Sequence, residues 1–495
     1  MTEFELKFEI PPAQLKNVAV AVLAGEAVRQ RLRASYFDTA DGTLAACGIV
    51  VRVRKEGRRW VQTAKGPTND VLKRLEHNVV LSSQSAGVMP ALDLSRHRGT
   101  PIGKLIDKAL KLKPFEPCPS MELLYGTDVQ RITRLVATGK SVVEVALDQG
   151  RVFANGHSQP LCELEVELKE GSPLDAVALA RQWCANHGLW MSTIAKSMKG
   201  QRLRSDEPYG TATPAVPPKF ARQAGTHEMV TATVQACLSQ ILPNMSELAG
   251  GSNDPDHIHQ LRVGIRRLRT ALRELGDLTD AIDPAWEGVL VSAFRDLGTH
   301  RDNSHLALVL QSQWQLAGGP DLKFDKPGGH ILDAGETVRA PSFQDALLGL
   351  LGNAYRPVPQ PLEAPGALKK AITRRLGKLH TRAVRDGKKF LALDEEQQHG
   401  VRKRLKRLRY LMEFAAPLFG ARSVGKMAAA LKPAQDALGL YNDELVALQA
   451  LHKLVDDQPN AWFGIGWLAA RRERNAKRCL KEIKIFAKIK PFWRE

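Results

Sequence analysis

Residues 3–10 read EFELKFEI, with charge at every second position, Glu3, Glu5, Lys7 and Glu9, and apolar Phe4, Leu6, Phe8 and Ile10 between them. That is the period-2 alternation of a strand, not the 3.6-residue period of a helix. Such a strand either shows its charged face to solvent at the edge of a sheet or turns it into a polar interior. In the second arrangement, inward carboxylates hold a metal and the lysine meets an anion.

The same alternation recurs through the first two hundred residues, in GIVVRVRKE, RRWVQTAKG, LEHNVVLS, KSVVEVALDQG and CELEVELKEG. Arg52 and Arg54 share a face, as do Thr63 and Lys65, while Glu163, Glu165 and Glu167 alternate with leucine and valine. One charged strand is ordinarily a solvated face. Many of them, with both signs of charge, fit a closed barrel with a polar lumen. Basic residues there bind phosphate by charge-assisted hydrogen bonds, and clustered acids repel one another unless a divalent cation sits between them. The oxygen ligands of Glu3, Glu5 and the Glu163–Glu167 strand suit magnesium or manganese better than zinc.

Taken in order, ExExK (Glu3, Glu5, Lys7), YFDT at 36–39, RVR at 52–54, TAKG with Lys65, VEVALDQG at 143–150, PLCELEVELKEG and the segment around Lys196 resemble the CYTH family, the triphosphate tunnel metalloenzymes. The resemblance covers roughly residues 1–205 and is nearest to the bacterial inorganic triphosphatases. It implies a tunnel in which Lys7, Arg52, Arg54, Lys65, Arg131 and Lys196 hold phosphate oxygens. It also implies two Mg2+ or Mn2+ ions, one bridging substrate oxygens and one near Glu3, Glu5, Glu163 and Glu165 that acidifies the attacking water. Glu76, Glu144, Asp148 and Glu167 complete the acidic wall. Glu3, Glu5, Lys7, Lys65 and Glu165 are the expected catalytic set. Arg134 reaches the same face as Arg131 only if a bulge intervenes. Lys73, Arg74, Arg58 and Arg59 read as solvated turn residues.

At 495 residues the chain exceeds one ordinary core. Its net charge of +18 points to polyanionic partners. No apolar run approaches the roughly 20 residues of a membrane span, so the expected location is cytoplasmic. The six cysteines are widely spaced without a C-x-x-C pair and are expected reduced, mostly in cores. Beyond SDEPYGTATPAVPPK the texture changes to long helical periods. The expected division is a barrel domain over 1–205, a linker over 206–220 and a helical domain over 221–495.

In HIHQLRVGIRRLRTALREL, from residue 257, Ile258, Leu261, Ile265, Leu268 and Leu272 make a core stripe. Beside it, His259, Arg262, Arg266, Arg269 and Arg273 make a basic one. The pattern returns 140 residues later in HGVRKRLKRLRYLMEF, with His399, Arg402, Lys406 and Arg409. Asp302 and Asp443 recur at a spacing of 141 and read as partners that orient arginines. Two anchors at one offset indicate a tandem repeat of helical bundles, about 221–355 and 366–495, with the basic helices facing a shared groove. This half resembles the CHAD domain. The resemblance implies that these nine histidines, arginines and lysines grip inorganic polyphosphate, and it makes polyphosphate granules one place where the protein acts.

The expected fold is therefore α+β: an antiparallel β-barrel tunnel with flanking helices, then two repeated helical bundles. The expected function is metal-dependent hydrolysis of inorganic triphosphate with polyphosphate binding. The alternatives are a non-catalytic polyphosphate-binding protein, or an enzyme that hydrolyses thiamine triphosphate or cyclises ATP. With 6% aromatic residues and Tyr410 alone among the basic helices, the chain lacks the stacking surface of a single-strand nucleic-acid binder.

Overall fold

The computed structural model describes all residues except 1, 69, 71, 83–87, 114–117, 280–281, 321–332, 358–363, 365 and 495; the side chains of 299–313 and 315 are also outside the description. The chain separates into two compact units. The first comprises 1–214, 238–261 and 335–356, and the second 215–237, 262–334 and 357–495.

In the first unit β1 (Thr2–Glu9), α1 (Leu15–Leu23), β2 (Ala27–Asp38), α2 (Thr43–Ala46), β3 (Val50–Glu56), β4 (Arg59–Pro67), β5 (Lys73–Leu81) and α3 (Pro101–Ala109) come first. They are followed by β6 (Glu122–Thr138), β7 (Ser141–Ala154), β8 (His157–Glu170), α4 (Pro173–His187), β9 (Trp190–Met191) and α5 (Lys196–Ser205). Eight antiparallel strands run in the order β5-β4-β3-β2-β6-β7-β8-β1, and β1 pairs back onto β5 to close the barrel. β1 is split at this seam. Thr2–Phe4 pair with β5, Glu5–Glu9 pair with β8, and Phe8 and Glu9 also take β9 on the side that β5 leaves.

The expected barrel is present, and its alternation is inverted relative to a globular sandwich, with charge inside and apolar side chains outside. Phe4 and Phe8 are buried, although they do not line the lumen. An outward apolar face needs a cover, because leaving it wet forfeits about 25 cal/mol for each Å². α4 lies over β8 and β1 and is itself covered by α10 (Pro341–Asn353), from far along the chain. Gln344 of α10 accepts from Met191 N at 2.9 Å, and Tyr355 packs edge-on against Phe4 with centroids 5.1 Å apart. This is why the segment 335–356 belongs to the first unit.

The boundary between units passes through α6 (Thr226–Ala249) and α7 (Pro255–Leu275). Then come α8 (Ala285–Leu316), α9 (Ala334–Arg339) and α10, and after them α11 (Ala367–Gly387), α12 (Glu395–Phe419), α13 (Ala421–Leu454) and α14 (Ala461–Phe486). α11–α14 pack together as a bundle, with α8 against α13. The predicted core stripe of α7 is buried throughout. α12 opens with a capping box in which the Asp394 carboxylate accepts from Gln397 N and the Gln397 side chain returns to Asp394 N. All six cysteines are free. Cys184, Cys237 and Cys479 are buried as expected, whereas Cys47 is exposed and Cys118 and Cys162 are half-buried.

Candidate functional site

The barrel encloses a cavity of about 330 Å³. Strand alternation sends Glu3, Glu5 and Lys7 of β1, Arg52 and Arg54 of β3, Lys65 of β4, Glu76 of β5, Arg131 of β6, Glu144 and Asp148 of β7, and Glu165 and Glu167 of β8 to its wall. Lys196, the first residue of α5, enters from one end. α5 sits close because residue 200 is glycine: a Cβ there would strike the Tyr125 ring.

The charges are grouped. Lys196 Nζ lies 2.7 Å from Asp148 and 2.6 Å from Glu165 and also pairs with Glu163. Arg131 forks onto both oxygens of Asp148 and reaches Glu165. Burial opposes the charged forms here, yet Lys196 and Arg131 hold the Glu165 carboxyl well below its usual range. Asp148, Glu163 and Glu165 offer oxygens within 4.8 Å of one another, a spacing compatible with one cation. Glu163 itself is fully buried between Lys196 and Lys199 and does not line the cavity.

A second group joins Lys65 to Glu3 at 2.6 Å and to Glu76 at 3.3 Å. Burial pushes the Glu3 carboxyl up to about 8, against the pull of Lys65 and with help from Glu5 and Glu76. Burial likewise opposes ionisation of Glu76, but Lys65 and a hydrogen bond from Glu3 bring it down to about 2. Burial and its acidic neighbours thus favour the protonated form of Glu3, and Lys65 the ionised form of Glu76.

The third group is a row of acids in register across three strands, Glu5 opposite Glu167 and Glu167 opposite Glu144. Lys169 answers Glu167 at 2.7 Å and Glu144 at 3.3 Å, while among the described residues the Glu5 carboxylate has no ion pair or hydrogen bond. Burial raises the Glu167 carboxyl, with Glu144 and Glu5 adding to the effect. Opposite in character is the β3 wall. Arg52 stands across from Tyr36, with its Nε buried and without a hydrogen-bond partner among the described residues, and Arg54 pairs with Glu56. Surplus acid on β1, β7 and β8 with an unsatisfied Nε on Arg52 of β3 suits a cation bound together with an anion.

Every predicted lumen residue except Glu163 lines the cavity. Arg134 does not: β6 carries no bulge at that point, and the guanidinium turns to the carbonyl of Ala24. Arg74, read from sequence as solvated, is exposed and also borders the cavity. Lys169 and Lys199 were missed, although both signals were in the sequence. Lys169 continues the Glu163–Glu165–Glu167 alternation, and Lys199 lies one helical turn beyond Lys196.

In the second unit Arg262, Arg266 and Arg269 surround the Phe294 ring at 4.7, 5.0 and 5.8 Å. Arg273 pairs with Glu287. On α12, His399 shares a hydrogen bond with Asn442 at 2.8 Å, and Arg409 lies 4.5 Å over Tyr410. Burial, then Arg266 and Arg402, bring Lys406 down to about 7, so the basic faces of α7 and α12 do meet. His259 lies in the part of α7 that belongs to the first unit. Asp443 is exposed and acts on Lys406, whereas the Asp302 side chain is outside the described residues. Sequence reading also missed Arg267, which is fully buried and donates to Glu413 at 2.7 Å and to Val216 O at 2.7 Å.

Residues 1–199 match the family model of the CYTH domain and residues 232–452 that of the CHAD domain. The chain thus carries a CYTH domain followed by a CHAD domain. Among curated proteins it is similar to the inorganic triphosphatase of Haemophilus influenzae, at 29% identity over 217 residues. That match takes in 42% of this chain and 56% of the relative, so little more than half of the relative's length is spanned. Among solved structures it is similar to the CHAD domain of the plant Ricinus communis (TM-score 0.44, 22% identity, 57% of this chain and 98% of that one). A Hippeastrum protein described as revealing a dominant triphosphatase activity gives a TM-score of 0.30 at 16% identity, covering 41% of this chain and 96% of that one.

Proposed function

We propose that the barrel is a metal-dependent inorganic triphosphatase, releasing phosphate and diphosphate from tripolyphosphate, and that the helical domain binds inorganic polyphosphate. The supporting observation is the segregated lumen, where Glu5, Glu144 and Glu167 carry more charge than Lys169 balances while Arg52 keeps an unsatisfied donor. Glu3, Glu5, Glu144 and Glu167, with the Asp148–Glu163–Glu165 group beside them, would hold one or two Mg2+ or Mn2+ ions. Such ions supply a neutralised phosphoryl group and a water of lowered pKa. The chain itself contributes orientation: Arg52, Arg54, Arg131, Lys7 and Lys65 grip the anion, and Lys196 locks Asp148 and Glu165 in place.

On this reading residues 1–205 form the catalytic domain, 206–220 the linker and 221–495 the polyphosphate-binding repeat, in a cytoplasmic protein with access to polyphosphate granules. His259, Arg262, Arg266, Arg269, Arg273, His399, Arg402, Lys406 and Arg409 are its polyphosphate contacts. Phosphate release from tripolyphosphate, measured with Mg2+, Mn2+ or EDTA, tests the catalytic part. Metal-dependent release lost in Glu3→Ala/Glu5→Ala is expected. Turnover of thiamine triphosphate, or of ATP to a cyclic product, in place of tripolyphosphate would move the protein to another branch of the enzyme class. No release under any metal, with polyphosphate still bound, would leave a non-catalytic polyanion binder.

A further inference from the structure

The second unit holds another basic cavity, of about 490 Å³, away from the repeated stripe. It is bounded by the C-terminal turn of α7, by α11 and by Arg407 of α12. Its cations are Arg273, Arg374, Arg375, Lys378, Arg382 and Arg407, and its acids are Glu274 and Asp277. Both acids are engaged, Glu274 by Arg407 at 2.9 Å and Asp277 by Arg375 at 2.8 Å, and Arg273 pairs outside the cavity with Glu287. Arg374, Lys378 and Arg382 remain, four residues apart along one face of α11, with no hydrogen bond or ion pair among the described residues. Three like charges at this spacing repel one another and cost the helix stability unless a counter-ion bridges them.

This stripe is not part of what the two halves of the domain share. At the 139–141-residue spacing of the repeat, Arg374, Lys378 and Arg382, which are exposed, fall opposite residues 233–235, 237–239 and 241–243 of α6, none of which is charged. The second half therefore carries charge where the first half carries none.

We infer that this cavity is an anion site for a short inorganic phosphoanhydride, diphosphate or tripolyphosphate, distinct from the barrel lumen and from the α7–α12 basic face. Five of its six cations are arginines, whose planar forks match phosphate oxygens two at a time. With Arg407, Arg375 and Arg273 each paired to an acid, three cations remain unpaired among the described residues, suited to a small multiply charged anion. Its one apolar lining residue is Leu379, and no aromatic ring offers a nucleobase a stacking surface. The inference goes beyond the proposed triphosphatase activity and does not depend on it.

The test uses the full chain in EDTA, so that metal-dependent turnover is absent, and reads the acylation rate of individual lysines by mass spectrometry. Diphosphate should protect Lys378 saturably, with sulfate at matched ionic strength protecting much less. Arg374→Ala/Arg382→Ala should raise the half-saturating diphosphate concentration at Lys378 by about tenfold or more, each charge-assisted contact being worth about that factor. Protection of Lys65 in the barrel should be unchanged in that variant. Equal labelling of Lys378 with and without diphosphate, equal protection by sulfate, or unchanged protection in the double variant would each overturn the site.

Discussion

Arg267 of α7 donates to Glu413 of α12 at 2.7 Å, and the same two helices carry the mirror of that bond, Arg407 of α12 to Glu274 of α7 at 2.9 Å. The arginines are 140 residues apart and the acids 139, so each helix gives a base to the other and receives one. A two-fold relation between repeats requires this reciprocity. The two sites differ in burial: the Arg267 side chain is 0% exposed and that of Arg407 35%.

That difference sets the first prediction. Glu413→Ala strands a buried guanidinium and should destabilise the helical unit by about 3–5 kcal/mol. Arg407→Ala removes a half-exposed arginine but leaves the Glu274 carboxylate, 8% exposed at a wet cavity, and should cost less, about 1–3 kcal/mol. Urea unfolding followed by helical circular dichroism checks this, and equal costs would contradict the asymmetry.

Lys196→Ala leaves Asp148, Glu163 and Glu165 with Arg131 and Lys199 as their remaining cations. Activity on tripolyphosphate should fall by about 100-fold or more, the scale for losing a preorganised charge at a reacting centre. The thermal midpoint should fall as well. A variant with wild-type turnover would remove Lys196 from the site.

Glu3 provides a pH dependence. Its carboxyl is raised from 4.5 to about 8, so the folded chain holds an extra proton between those values. The associated stabilisation is complete below about 4.5 and is lost as pH rises through about 8. In metal-free protein the wild-type thermal midpoint should drop relative to Glu3→Gln across this window. A difference that stays flat with pH would rule out the raised Glu3 carboxyl.

Lys406 titrates in the physiological range for the opposite reason, a cation lowered to about 7 by burial and by neighbouring arginines. A bound polyanion favours its charged form, so polyphosphate should bind the helical domain about tenfold more weakly at pH 8.5 than at pH 6.5. Lys406→Arg should flatten that profile in a filter-binding assay. The same slope in both proteins would assign the titration elsewhere.

Tyr355 donates to Asp70 at 2.6 Å, packs on Phe4 and lies 5.1 Å beneath Lys73, so a residue far along the chain steadies the β4–β5 turn. Leu72 of that turn accepts from Glu5 N at 3.2 Å. Tyr355→Phe should cost about 1–2 kcal/mol. A fragment ending near residue 220 should melt well below the same barrel in the full chain. An equally stable fragment would show that the α10 cover is dispensable.

The alternation of EFELKFEI and CELEVELKE was enough to read the barrel and its lumen, because a period of two fixes which side chains share a face before any partner is known. Arg267 was recoverable in principle, since RRLR and KRLR are the same motif in the two repeats. What sequence could not show was sequestration. Nothing local to Glu163 says that two lysines of α5 will enclose it, and nothing in PSFQDALLGLLGN says that this helix covers the outside of a barrel. Periodicity reports faces, whereas these facts depend on which distant segment meets each face. Arg74 makes a related point: it is exposed at a strand end, as its sequence position suggests, and a strand end at an open rim is also part of the lumen wall.

The split pairing of β1 also bears on synthesis. Glu5 leaves the ribosome 162 positions ahead of its partner Glu167, a delay of about 8–30 s at ordinary elongation rates. Through most of that interval a strand with one greasy face has at best the short Thr2–Phe4 pairing with β5 and no cover. β1 is therefore open to misassociation until β8 arrives, and the charges that later serve the lumen are what keep that strand dissolved while it waits.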